Sequence, residues 1–338
     1  MAPSSSFKST WTQFFPPKPH FTDKDVPADL QGKVYVVTGA NTGMGKELAR
    51  VLYAKNAKVY VACRSEEKAT KAIEAIKKRA TGSKGELIFL SLDLADLTKV
   101  KAAAQTFLAQ ESKLHVLFNN AGVMVGPANP PLKTAQGYEL ALGVNCVGTF
   151  LFTKLLTPTI VATAALQTEP ADSVRVVWLS SFGLQQYAPQ DHGIDMDNLD
   201  YHIPKPHVDR YGISKCGDWL LAVEYARRHK SDGVVSVPIN PGNVRTELAR
   251  DQNLGLKLVA HAIVYPIING VYTQLFAAFS PDVTIAKADW TKDWIIPWGR
   301  FAPLRQDLHK ATVSKEEGGN GNAYQFWEWN EEQVKDYL

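Results

Sequence analysis

Thr38-Gly39-Ala40-Asn41-Thr42-Gly43-Met44-Gly45 is the stretch from which the fold is read. Its glycines at 39, 43 and 45 lie between a β-branched run, Lys33–Thr38, and a helical pattern, Gly43–Lys55. In that pattern Met44, Leu48, Val51 and Leu52 recur at i, i+4, i+7 and i+8, so they share one face. Glycine allows backbone to come close to a pyrophosphate. A helix starting there points its N–H groups and positive dipole end at the phosphates. The spacing is Gly-x-x-x-Gly-x-Gly, not the commoner Rossmann one, and a structural turn without a ligand is the competing reading. Its place between a strand and an amphipathic helix favours a dinucleotide.

Outward from this turn, short apolar runs alternate with helical patterns. Strands are expected at Val59–Cys63, Leu87–Leu92, Val116–Asn119, Val174–Leu179, 234–239 and near Trp294–Ile296. Helices are expected after Ser65, which can cap one ending at Gly82, and over about 96–111, 136–157 and 208–229. Apolar strands alternating with helices predict an α/β fold. It is a single Rossmann-type doubly wound parallel sheet in the order 3-2-1-4-5-6-7, with helices on both faces and right-handed crossovers. The organisation expected is a leader (1–31), a Rossmann domain (32–300) and a C-terminal extension (301–338). The domain carries an insertion (182–207) and a substrate lid (about 244–290). Gly318–Asn322 reads as a flexible link.

Composition narrows the class. The chain has 338 residues, 45% hydrophobic and 21% charged, with net charge +3, so no nucleic-acid footprint is expected. Three scattered cysteines, Cys63, Cys146 and Cys216, offer no disulfide framework or zinc spacing, and suit a cytoplasmic location. No signal peptide is evident. The apolar stretch Leu258–Phe279 is interrupted by His261, Pro266, Asn269, Gly270 and Gln274, and reads as a substrate-side helix, with membrane association not expected. His192, His202 and His207 do not share a helical turn, and no metal is expected.

The end of the second strand bears on the dinucleotide. NAD sites place a carboxylate there for the ribose 2′-OH. This chain has Ala62-Cys63-Arg64, with no acid, and Arg64 can pair with a 2′-phosphate. NADP(H) is therefore expected; the bland alternative makes Arg64 a solvated charge. Asp93 either accepts from the adenine amino group or caps the next turn.

Tyr211-Gly212-Ile213-Ser214-Lys215 puts Tyr211 and Lys215 on one helical face. A phenol titrates near about 10, and a neighbouring ammonium lowers that towards useful acid/base chemistry. Tyr-x-x-x-Lys is common by chance, but two further strand ends join it. Ser180-Ser181 ends the fifth strand and Asn119-Asn120-Ala121-Gly122 the fourth, at the carboxyl edge where open α/β sheets bind ligands.

These motifs, in this order over about residues 32–250, resemble the short-chain dehydrogenase/reductase family. The resemblance implies that Tyr211 is the acid/base, Lys215 its partner and ribose ligand, and Ser181 the group polarising the substrate oxygen. Asn145, in Val144-Asn145-Cys146-Val147-Gly148, matches an asparagine whose helix distortion holds a relay water. Pro241-Gly242 with Thr246 matches a loop closing over the carboxamide. The candidate cofactor set is Gly39, Asn41, Thr42, Gly43, Met44, Gly45, Arg64, Asp93, Leu94, Asn120, Ala121, Gly122, Tyr211, Lys215, Pro241, Gly242, Val244 and Thr246. Val61-Ala62-Cys63-Arg64-Ser65 and the long Ser181–Tyr211 interval are similar to the retinol dehydrogenase, WW-domain oxidoreductase and protochlorophyllide reductase branch, and the tail resembles its fungal-type members. The implied activity is NADP(H)-dependent hydride transfer to or from a carbonyl or secondary alcohol of a bulky apolar small molecule, with a homodimer allowed. The alternatives are reduction of a C=C or C=N bond, or a dinucleotide-binding regulator without turnover. Trp290, Trp294 and Trp298 either wall the substrate pocket or bury the tail.

Overall fold

Strand and helix alternate as the hydrophobic pattern requires. The computed structural model describes residues 7–127, 131–245 and 264–338. Elements are numbered in chain order: α1 (Phe7–Phe14), β1 (Val34–Thr38), α2 (Gly43–Ala54), β2 (Lys58–Cys63), α3 (Glu66–Arg79), β3 (Glu86–Ser91), α4 (Leu97–Leu108) and β4 (Val116–Asn119). There follow α5 (Leu140–Ala164), β5 (Arg175–Leu179), α6 (His207–His229), β6 (Val235–Ile239), α7 (Ile267–Phe279), β7 (Asp293–Ile296), β8 (Arg300–Pro303) and α8 (Asn322–Val334).

The sheet order is β3-β2-β1-β4-β5-β6-β7-β8. Strands β1 to β7 pair in parallel, and every residue of β1, β4, β5 and β6 is buried, as expected for strands covered on both faces. The order expected from sequence holds through seven strands. The eighth, antiparallel to β7, was not foreseen, because Arg300–Pro303 is short and half exposed and carries no strand-like pattern. The order reverses between β1 and β4, so a crevice opens where Gly39 and Asn120 leave the sheet.

Helix α5 begins at Leu140, later than the 136 read from sequence, and runs through a π-helical turn at Gly143–Gly148. It is long and apolar enough to cross a membrane by length and composition, yet 78% of its most apolar window is buried in the protein. Helix α7 is also part of the body. Arg175, at the start of β5, donates to the Ala277 and Ser280 carbonyls at its C-terminal end (2.8 and 3.0 Å). At Gly270 a β-carbon would lie 2.7 Å from Met44 Sδ of α2. This stretch of the expected lid is therefore a layer flanking the sheet, while 246–263 lies outside the described residues.

The three tryptophans are core residues, and Trp298 also stands against Gly242 of the candidate cofactor loop. Trp290, Trp294 and Trp298 are at most 2% exposed. Trp219 Nε1 donates to the Trp290 carbonyl (2.9 Å), and Trp290 Nε1 donates to the Ser236 carbonyl. Gly318–Asn322 is a hydrogen-bonded turn instead of a flexible link. Gly319 N donates to Ser314 O (2.8 Å), Asn320 N to Lys310 O (3.0 Å) and Gly321 N to Val313 O (2.9 Å).

Candidate functional site

The glycine turn leaves β1 at the switch point. Gly39 has φ +68°, a left-handed conformation that a side chain strains. A β-carbon on Gly45 would meet Asn120 Nδ2 at 2.6 Å and the Gly39 carbonyl at 2.7 Å, so α2 starts hard against the β4 loop. Asn120 is clamped there. Its Nδ2 donates to the Thr38 carbonyl (2.7 Å), and its Oδ1 accepts from Gln274 of α7 (2.8 Å). Ala121 N donates to Thr38 Oγ1 (2.8 Å). Beside the turn lies a groove of about 420 Å³ lined by Thr42, Gly43, Lys46, Glu47, Arg79, Ile267 and Ile268. These features fit a dinucleotide. The backbone is open over the N-terminus of α2, and the two loops that face each other at the switch point are fixed.

Arg64 is exposed at the end of β2, and makes no hydrogen bond or ion pair with the described residues. Next to it Cys63 is buried, which pushes its thiol up. Asp93 Oδ1 accepts from Ala95 N (3.1 Å), the capping contact anticipated as its alternative role. Leu94 is buried, and its carbonyl faces α5, 2.2 Å from where a β-carbon on Gly148 would stand. Asn41, Thr42, Gly43 and Met44 are half-buried along the turn.

Helix α6 carries Tyr211 and Lys215 one turn apart, with Lys215 Nζ 5.9 Å from the Tyr211 ring centre. Tyr211 is 9% exposed, and no described residue hydrogen-bonds its hydroxyl. The lysine is more constrained. Its Nζ donates to the Leu179 carbonyl at the end of β5 and to Asp218 Oδ2, both at 2.8 Å. Lys215 and Asp218 side chains are each 4% exposed. Burial pushes the Asp218 carboxyl up to about 6, with the Lys215 ammonium opposing it. Burial presses the ammonium down, but Asp218 and Tyr211 together oppose it and Lys215 is raised overall. Asp218 was missed in the sequence. Its only signal was an acid at i+3 from Lys215, which on a helix is usually a surface charge.

Of the serine pair, Ser180 is 2% exposed and its Oγ donates to the Lys215 carbonyl (2.6 Å), a structural bond between β5 and α6. Ser181 is half-buried, and its Oγ accepts from Gly183 N (3.2 Å). A β-carbon on Gly183 would lie 3.6 Å from Ser181 Oγ and 3.8 Å from Tyr211 Cε1, so the Ser181 loop and the Tyr211 ring are neighbours.

Asn145 lies within the π turn of α5. Its Oδ1 accepts from Val123 N (2.9 Å), and its Nδ2 donates to Ser214 Oγ (2.9 Å) and the Val123 carbonyl (3.2 Å). Single π turns concentrate at functional sites because they shift side chains out of helical register. A β-carbon on Gly122 would meet Lys215 Nζ at 3.0 Å and Asn145 Oδ1 at 3.4 Å, so the β4 loop, α5 and α6 converge here. Pro241 and Gly242 leave β6 at the same edge. Gly242 N donates to Asn240 Oδ1 (3.0 Å), and the loop rests on Pro297 and Trp298. Val244 bridges to Tyr265. Thr246 lies outside the described residues.

A doubly wound sheet with its glycine turn at the switch point, and a Tyr-Lys helix at the same edge, defines a dinucleotide-binding α/β protein. Residues 33–182 match the short chain dehydrogenase family model. A short-chain dehydrogenase/reductase of Phomopsis amygdali is 52% identical over 99% of this chain and 98% of its own. Short-chain dehydrogenase/reductase bet4 of Neocamarosporium betae is 48% identical over 100% and 96%. The chain therefore belongs to the short-chain dehydrogenase/reductase family of oxidoreductases, as a fungal-type member. Among solved structures, a Mycobacterium paratuberculosis protein superimposes with TM-score 0.65 at 26% identity, covering 93% of this chain and 97% of that one. Pseudomonas aeruginosa RhlG in complex with NADP shares the fold at TM-score 0.58 and 20% identity, covering 76% and 94%.

Proposed function

We propose that this oxidoreductase transfers hydride between NADP(H) and a carbonyl or secondary alcohol on a bulky apolar small molecule, in the cytoplasm. One observation carries the reading. Among the described residues the Tyr211 hydroxyl has no hydrogen-bond partner, while Lys215 stands behind its ring and Ser181 beside it. When bound, the dinucleotide supplies or takes up the hydride. Tyr211 gives its phenolic proton to the substrate oxygen during reduction, or takes it back during oxidation. Ser181 donates a hydrogen bond to the same oxygen. Lys215 stabilises the phenolate through its charge and has one N–H left for the ribose, since two are held by Leu179 and Asp218. Asn145 holds the β4 loop against α6 through Val123 and Ser214.

The choice of NADP(H) rests on the absence of a carboxylate at the end of β2 and on the exposed Arg64, which has no partner among the described residues. The cytoplasm is proposed on three free, buried cysteines. Tyr211→Phe tests the reading. Turnover of carbonyl substrates should fall at least a hundredfold, while NADPH binding, followed by its fluorescence, stays within threefold. Activity within threefold of wild type removes Tyr211 as the acid/base.

A further inference from the structure

The N-terminal helix α1 is tied at four points to the rim that carries the candidate site. The Thr12 carbonyl accepts from Arg300 Nη2 (2.6 Å), and Gln13 Oε1 accepts from Asn240 Nδ2 (2.9 Å). The Phe14 carbonyl accepts from the Tyr265 hydroxyl (3.2 Å), and the Phe14 ring meets Phe182 edge-on at 4.8 Å. The partners cluster. Phe182 follows Ser181, Asn240 precedes Pro241, Tyr265 bridges to Val244, and Arg300 follows the end of β7. All four stand at the carboxyl ends of β5, β6 and β7, where ligands of such sheets bind.

Gln13 is the informative residue. It is 3% exposed, yet among the described residues its Nε2 has no hydrogen-bond partner. A buried amide donor left unpaired is destabilising, so it calls for an explanation. Flipping the amide does not remove the problem. Asn240 Oδ1 is held by Gly242 N, which fixes Asn240 with its Nδ2 towards Gln13. Gln13 must then present its oxygen to Asn240 and keep its N–H₂ free.

We propose that α1 is a wall of the substrate site. Gln13 donates from Nε2 to a second oxygen of the substrate, away from the reacting carbonyl, and Phe14 with Phe182 packs the apolar body. The inference rests on Ser181 and Tyr211 acting on a carbonyl. It makes Gln13 a specificity residue for large apolar ketones bearing a further oxygen.

The test uses the full chain. Wild-type protein loaded with NADP⁺ is irradiated with benzophenone, an apolar ketone that crosslinks to nearby C–H bonds, and the labelled peptides are mapped. Label within 7–15 as well as 181–187 is expected. Label at 181–187 or 211–215 without 7–15 overturns the wall and leaves the proposed function standing; no label at any of these overturns both. In a second arm, Gln13→Leu should raise KM for 9,10-anthraquinone, whose second oxygen lies across the ring from the first, roughly five- to tenfold. KM for anthrone, the same ring system with one oxygen, should stay within twofold, as should the NADPH Kd. Unchanged KM for both, or loss of NADPH affinity instead, overturns the role of Gln13.

Discussion

Lys215 has three N–H donors, and the protein takes two of them, through Leu179 and Asp218. Asp218 holds the ammonium in place, yet ionising a carboxyl in that interior is unfavourable, which is why it is pushed up to about 6. A raised carboxyl favours the fold in its protonated form. That contribution is complete below about pH 4 and is lost as pH rises through about 6. Asp218→Asn should therefore raise Tm at pH 7.5, by roughly 2–4 °C, and the difference should close below about pH 4. Turnover should fall in the same variant, because Lys215 loses its anionic anchor. Calorimetry of both proteins from pH 4 to 8 checks this, and a variant less stable than wild type at pH 7.5 contradicts it. At the other end of the cofactor, Arg64→Ala should weaken NADPH about ten- to a hundredfold and NADH little, since each charge-assisted bond lost costs ~1.5–3 kcal/mol. Adding Cys63→Asp should then favour NADH. An unchanged NADPH/NADH ratio in titrations of Arg64→Ala would make Arg64 only a surface charge.

At the scale of the element, α8 covers the outer face of α5 and α6. Phe326, Trp327 and Val334 are buried, Trp327 meets Phe150 edge-on at 4.8 Å, and Lys154 pairs with Glu331 at 2.8 Å. Arg228 stacks 4.7 Å over Trp327. Removing 320–338 strips these anchors, each worth ~3–5 kcal/mol for a large aromatic. Thermal stability should drop by more than about 5 °C, with self-association. NADPH affinity of the folded fraction should stay within threefold, since Phe150, Lys154, Gly217 and Arg228, which α8 meets, are not among the candidate cofactor residues. Light scattering and a binding titration on the truncated protein decide it; a Tm unchanged from wild type would mean α8 contributes no stability. The cut must fall there, because removing everything from 290 also deletes β7 and β8 and opens the sheet.

For the whole molecule, a dinucleotide bound across the β1/β4 switch point should stabilise the fold by mass action. At a hundredfold excess over Kd the gain is about 2.7 kcal/mol. For a chain of this length that is about 4 °C in Tm. NADPH should give this shift and NADH, at equal concentration, a smaller one; a larger shift with NADH would reverse the cofactor assignment. The glycine turn, the β4 loop, the Ser181 loop and the Pro241 loop all leave one edge of one sheet, so residues far apart in the chain meet without a second domain.

Local pattern determined most of the architecture. Periodicity placed seven strands and the main helices, because buried parallel strands and amphipathic helices each leave a repeat in the chain. Spacing put Tyr211 and Lys215 on one face and Gly39 to Gly45 at a helix start, since both depend only on helical geometry. Only the tertiary structure could decide contacts between distant segments. Asp218 joins Lys215 because α6 is buried on both sides there. Ser180 turns inward while Ser181 stays half-buried, because adjacent residues leaving a strand face opposite ways. Gln13, more than two hundred residues from Asn240, reaches the rim because α1 folds back over the sheet edge, and no local pattern encodes that return.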